Sequence, residues 1–280
     1  MITHFKIRGK KNWGRSAALI RRIDEARAAG IDVTMAQYPY TAGSTFLHVV
    51  IPPWYHSRGV DGLLRALREE RGAIKHDLDT RMDWENFSQS VGWEKIFVSS
   101  VVSEANQPCV GKSISQIAAE RGHADPADAA FDLLVEEQLA VGMISFGLDE
   151  ADITAIMRHP AVSFITDGLM SGRPHPRAYA TYPRILGRYV REQGVLSLEE
   201  AVRKMTSLPA RKIRLRNKGV IAEGYDADLV VFDPDTVIDK NSYDDPRVHP
   251  AGIAHVLVNG VFVVEDAALT GARPGRVIRD

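Results

Sequence analysis

Apolar positions in this sequence fall into short runs and helical stripes that alternate along much of the chain. The run at 162–165 is the clearest, a brief continuous apolar segment bounded by polar residues, which predicts a buried strand. Residues 1–6 read as a strand already under way, with His4 and Lys6 on one face by the two-residue period. Leu19, Ile20, Ile23 and Ala26 then recur at helical spacing up to Gly30, and 31–35 resumes as a strand, completing a β-α-β unit. Further on, Ser113 and Gln116 stand at capping-box spacing, Asp125-Pro126 supplies an N-cap with proline at the first helical position, and Asp149 caps a helix to Met157. A short strand is predicted at 143–146, a helix at 182–192, and a capping box at 197–200 opening a helix that ends at Met205.

Two stretches break this rhythm. From Leu47 to about Val110 the chain is charged and aromatic, with helices predicted at 60–70 and 72–81 and a strand at 96–102. That is too long for an ordinary βα connection, so it reads as an insertion over the strand mouths: a lid, or a peripheral packing excursion. Past Pro209 the pattern becomes all-β, with strands predicted at 219–221, 227–233, 255–258 and 261–264. Asn259-Gly260 marks a tight hairpin between the last two. The expected organisation is an α/β body over 1–217, carrying the insertion at 47–110, and a β-rich segment over 218–280.

With 280 residues and 45% hydrophobic content there is ample material for a core. A net charge of -1 and the lack of a long basic run argue against a nucleic-acid partner. No apolar run reaches membrane-spanning length, and the single cysteine, Cys109, excludes an intrachain disulfide framework and fits a cytoplasmic setting.

Candidate chemistry gathers after the 162–165 run. Thr166-Asp167-Gly168 ends it, and Arg173-Pro174-His175-Pro176-Arg177 follows. A carboxylate at the C-terminal mouth of a buried parallel strand is where (β/α) barrels place their chemistry, and Asp167 there could hold a metal or take a proton from water. The plain alternative is a turn-forming aspartate. A second stretch, 37–45, reads as a hydroxyl-rich loop containing Tyr38 and Tyr40.

Several of these pieces occur together in one known family. His4-Phe5-Lys6 with Asn12-Trp13-Gly14, the stretch Tyr38-Pro39-Tyr40-Thr41-Ala42-Gly43-Ser44-Thr45, Pro52-Pro53-Trp54, Thr166-Asp167-Gly168, His175-Pro176-Arg177 and Tyr182-Pro183-Arg184 are among them. So are Met205-Thr206-Ser207-Leu208-Pro209-Ala210, Ala227-Asp228-Leu229-Val230-Val231-Phe232 and Val258-Asn259-Gly260. In this order they resemble the C-terminal portion of an N-acyl-D-amino-acid deacylase (D-aminoacylase) of the amidohydrolase superfamily. The resemblance implies a TIM (β/α)8 barrel, here strands five to eight, with a small β-sandwich built from both chain ends. It implies hydrolysis of an N-acyl-D-amino acid with a divalent metal, usually zinc, that polarises the acyl oxygen and lowers the pKa of a bound water. His4 would be a metal ligand and Asp167 the general base. Arg177 is the first candidate for the substrate carboxylate, with Lys6 and His175 beside it, and Tyr38 and Tyr40 lining the pocket or packing at the barrel rim.

Two departures qualify that expectation. The family's paired His-x-His belongs upstream of His4 and occurs nowhere in this sequence, and the sixth-strand region reads Met35-Ala36-Gln37-Tyr38 without a histidine. A catalytic zinc takes three protein ligands plus water, and only His4 and Asp167 can be placed. The expectation is therefore a partial barrel that needs an N-terminal half chain or self-association, or else a non-catalytic remnant. A related cyclic amidase or deaminase is the remaining enzymatic alternative.

Overall fold

The computed structural model describes residues 1–278. The described strands are β1 (Met35–Gln37), β2 (Ala42–Phe46), β3 (Ile96–Ser100), β4 (Gly142–Phe146), β5 (Val162–Phe164), β6 (Leu229–Phe232), β7 (Ile253–Val258), β8 (Val261–Glu265) and β9 (Ala268–Leu269). They form three sheets with orders β1-β5, β2-β4-β3 and β6-β7-β8-β9.

The first sheet positions the candidate site. β1 and β5 run parallel, with Met35 opposite Val162 and Gln37 opposite Phe164, and every residue of both strands is buried. Parallel strands covered on both faces read as continuous apolar runs, which is why the run at 162–165 is so legible. The strand expected over 1–6 does not form a ladder. Only Ile2 bridges to Met35, because His4 turns into the left-handed region at φ 39 and interrupts the extended chain. The alternation nonetheless holds, since Phe5 and Ile7 are buried in the same apolar cluster as Met35, Val162 and Phe164. The strand expected at 31–35 begins only at Met35, and the intervening helix Ser16–Ala28 buries Ile23 as its spacing predicts.

Residues 42–146 build a second core. β4 lies between β2 and β3, antiparallel to both, so the hydroxyl-rich stretch at 37–45 is a loop only up to Thr41. Helices Gly59–Glu69 and Arg71–Thr80 match their expected spans within a residue or so. They share one apolar cluster with helices Ile114–Arg121 and Pro126–Glu136, both capped as predicted by Ser113 and Asp125. The α/β rhythm therefore does not resume at Cys109. A central antiparallel strand needs both flanking partners, and β4 recruits the whole segment into one layer. Cys109 is a free, buried member of it.

Glu137 anchors the layer's outer loop. Its carboxylate accepts hydrogen bonds from the backbone N–H of Val102 (2.6 Å) and Ser103 (3.0 Å), the Ser103 hydroxyl and Asn106 Nδ2 (2.7 Å). Burial alone would raise this carboxyl, but the four donors outweigh it and hold it down from 4.5 to about 2. The folded-state pKa lies below the unfolded one, so the stabilisation is complete above about 4.5 and is lost as pH falls through about 2. Acid unfolding of Glu137→Gln should lack this step, and the variant should already be about 2 kcal/mol less stable at neutral pH. Urea melts at several pH values measure both.

The remaining helices return to the first core. The helix expected at 182–192 starts earlier, as Arg177–Arg184, and widens into a π-helical stretch, Ile185–Glu192, that buries Tyr189. Ser197 caps Leu198–Met205, but Glu200 turns to Arg203 instead of closing the capping box. The C-terminal sheet is an antiparallel meander with Asn259 and Gly260 both at positive φ in the predicted turn. No strand forms at 219–221, where Gly219 has φ 88, and β9 follows a second turn of positive-φ residues, Asp266 and Ala267. No residue in β6 to β9 is fully buried.

Between β6 and β7, residues 239–247 reach back to the first core. Asp239 pairs with Arg184 at 2.8 Å, Asn241 Nδ2 donates to the Pro176 carbonyl at 2.9 Å, and Asp244 pairs with Arg173 at 2.5 Å. Arg247 donates to the Gly172 carbonyl. No described helix is long and apolar enough to cross a membrane.

Candidate functional site

The C-terminal ends of β1 and β5 open on the residues singled out above. Gln37 leads into Tyr38, and Phe164 is followed three residues later by Asp167, whose φ of 46 is unusual for a residue with a side chain. Asp167 and His4 are both among the few non-glycine residues at positive φ. Such backbone outliers cluster at functional sites.

Arg177 is the hub. Its side chain is 1% exposed, and Nη2 lies 3.0 Å from Asp167 Oδ2, whose own side chain is 40% exposed. The same nitrogen donates to the Ser44 carbonyl on β2 at 3.1 Å, and the guanidinium sits 4.5 Å from the centre of the Tyr38 ring. Nε and Nη1 are buried and have no hydrogen-bond partner.

His175 holds this arrangement from behind. It is fully buried; Nδ1 accepts from the Arg177 backbone N–H (3.0 Å) and Nε2 donates to the Ala42 carbonyl (3.0 Å). Burial, with the charge of Arg177 behind it, pushes the imidazole well below its usual range, so the ring is a neutral brace. Tyr40 meets it edge-on at 5.0 Å, and burial raises the Tyr40 phenol. Tyr38 is buried too, its hydroxyl lying where a side chain on Gly43 would crowd it.

Lys6 lies 5.6 Å from the Tyr38 ring centre, and its Nζ donates to the His4 carbonyl at 3.1 Å. Burial, then repulsion from Arg8, lowers its pKa to about 8, with Asp167 opposing. His4 itself is exposed, and its imidazole makes no hydrogen bond among the described residues. The structure thus brings Asp167, Arg177, His175, Tyr38, Tyr40 and Lys6 together and leaves His4 at the margin.

Two contributors were not singled out from sequence. Tyr243 stacks edge-on against His175 at 5.0 Å, with its hydroxyl 3.4 Å from Nε2. It comes from the segment between β6 and β7, where no local pattern marks it. Arg8 donates to Ser145 Oγ at 2.9 Å, and the two-residue period through His4 and Lys6 could have found it.

Residues 107–264 match the amidohydrolase family, which is more than half of the chain. The chain belongs to the amidohydrolase family. This amidohydrolase is 39% identical over its whole length to the N-acyl-D-glutamate deacylase of Alcaligenes xylosoxydans xylosoxydans, and 36% identical over 99% of its length to the D-aminoacylase of that organism. It covers 48% of each, so it spans about half the length of the curated relatives it matches, their C-terminal half. Among solved structures, the N-acyl-D-glutamate deacylase from Bordetella bronchiseptica, complexed with zinc and a phosphonate inhibitor, superposes with a TM-score of 0.77. The identity there is 35%, covering 100% of this chain and 49% of that one.

Among the described residues no group of three or more His, Cys, Asp or Glu side chains stands close enough to hold a metal ion. A catalytic zinc takes three protein ligands. The described residues of this amidohydrolase do not fit one unaided.

Proposed function

We propose that this amidohydrolase takes part in hydrolysing the linear amide of an N-acyl-D-amino acid, giving the D-amino acid and a carboxylate, with Asp167 as general base. The observation that carries the reading is the Asp167–Arg177 pair at the mouth of β1 and β5: a carboxylate exposed enough to meet water, aimed by a guanidinium that is itself buried. Asp167 takes a proton from the water that adds to the acyl carbon. It returns that proton to the departing amine nitrogen as the C–N bond breaks. Arg177, whose Nε and Nη1 have no hydrogen-bond partner, supplies the positive charge that suits the substrate's free carboxylate. Lys6 and Tyr38 flank that position, while His175 and Tyr40 keep Arg177 in place.

In this reading residues 1–217 are the C-terminal part of a (β/α)8 barrel, with β1 and β5 among its strands and the insertion at 47–110 as a lid, and 218–280 belong to a small β-sandwich. Parallel pairing of β1 with β5, and a carboxylate at their C-terminal mouth, support it. Zinc, present in the related N-acyl-D-glutamate deacylase, enters as a group completed from outside the described residues, with His4 as this chain's candidate ligand. The residues that complete the site correspond to the half of the relatives that this chain does not cover, whether they lie on the same polypeptide or on another.

The test is amine release from N-acetyl-D-glutamate and N-acetyl-D-leucine, with zinc content measured in parallel. It is run on the chain alone and on the chain mixed with a polypeptide matching the other half of a relative. Zinc-dependent turnover of the D-enantiomers supports the proposal. Absence of amide turnover in a soluble one-to-one complex, or preference for a cyclic imide, overturns it.

A further inference from the structure

A cleft of about 580 Å³ opens between the helix Ser16–Ala28 and the helix Phe87–Val91, sharing Lys6 as a wall with the candidate site. Lys6, Arg8, Lys11, Arg15 and Arg22 line it against a single acid, Glu85. That is a marked local excess of positive charge in a protein of net charge -1.

These cations are poorly matched. Arg21, next door, pairs with Glu25, but Lys11, Arg15 and Arg22 have no carboxylate in ion-pair range among the described residues. Glu85 approaches only Arg8, at 3.9 Å, and its own side chain is largely in solvent. Arg8 forms the floor, its guanidinium 3.3 Å from the centre of the Phe87 ring and bonded to Ser145. The buried Nε of Arg8 and the indole nitrogen of Trp84, another lining residue, lack hydrogen-bond partners. The attraction comes from side chains and not from the helix start, because Asp152 already accepts the Gly14 and Ser16 N–H groups there.

Like charges lining one concavity concentrate counter-ions. A volume of this order suits a small molecule, since ligand pockets run from about 300 to 1,000 Å³. We propose that the cleft binds a small polyvalent oxyanion, of phosphoryl or polycarboxylate type, held by Lys11, Arg15 and Arg22 over the Arg8 floor. Two or more negative charges are needed to engage three separated cations, and guanidinium forks match phosphate and carboxylate oxygens equally. The cleft adjoins the Asp167–Arg177 site at Lys6, but the cations assigned to the anion are Lys11, Arg15 and Arg22, so the proposal does not depend on the reaction assigned to that pair.

Isothermal titration of the whole chain with pyrophosphate and with citrate tests the proposal, with Trp84 fluorescence as a second readout. Saturable one-to-one binding that weakens with added salt is expected. Arg15 and Arg22 are exposed, so the double variant Arg15→Gln/Arg22→Gln should keep the wild-type melting temperature while its affinity falls at least about tenfold. Tighter pyrophosphate identifies a phosphoryl ligand, and tighter citrate a polycarboxylate. The proposal is overturned if neither anion saturates the wild type, or if the double variant binds within about twofold of it. Binding of an acidic peptide where both small anions fail also overturns it, by making the cleft a docking surface.

Discussion

Asp167→Asn is expected to lower amide hydrolysis by roughly 10³-fold in whichever assembly turns over N-acyl-D-amino acids, the usual range for losing a positioned general base. Asparagine keeps the volume of the side chain and an oxygen that can still accept from Arg177 Nη2, 3.0 Å away. It cannot take the proton from water. Because the amide leaves the buried guanidinium facing a neutral partner, the substitution should also cost about 1–2 kcal/mol of stability. Urea melts therefore accompany the kinetics, and the rates are compared where both proteins are fully folded. A wild-type rate from folded Asp167→Asn would remove Asp167 from the chemistry and leave it a turn residue.

Arg177→Met should cost roughly 3 kcal/mol of stability and, where turnover is measured, raise KM more than it lowers kcat. The guanidinium is fully buried and carries three contacts at once: Asp167, the Ser44 carbonyl and the Tyr38 ring. Methionine fills much of the space but leaves the Ser44 carbonyl without this donor. Asp167 loses less, since water can replace its partner on the exposed side. The two substitutions share one interaction, so the double variant Asp167→Asn/Arg177→Met should fall short of additivity by about 1–3 kcal/mol in denaturant melts. Strict additivity would mean that the pair is a contact without coupling.

Much of this site was legible because its members lie in two short segments. Residues 162–177 hold the strand, Asp167, the buried His175 and Arg177, and 38–40 hold both tyrosines. Local pattern sufficed to place them at a strand mouth. It also placed the caps at Ser113, Asp125 and Asp149, where side chain and backbone lie within a few residues of each other. What escaped depends on distant partners. The extended reading of residues 1–6 failed because the left-handed turn at His4 has no sequence marker; asparagine or glycine would have been the expected residue. The extent of the second layer escaped because β4 is a short apolar strand like β5, and pattern cannot tell an antiparallel centre from a parallel edge. Arg177 reads from sequence as a substrate ligand, yet its ion pair with Asp167 spans ten residues of irregular chain that no periodicity describes. Tyr243 lies further still from the ring it braces.

The reach of residues 239–247 across the molecule has an evolutionary consequence. Asn241, Tyr243 and Asp244 sit in a connection of the C-terminal meander, yet their partners, Pro176, His175 and Arg173, belong to the loop that carries Arg177. A recombination event that swapped the meander for a relative's would arrive with clasps shaped for a different loop. A chimera joined between the two segments should therefore carry both from one parent, and one that mixes parents should melt at a lower temperature.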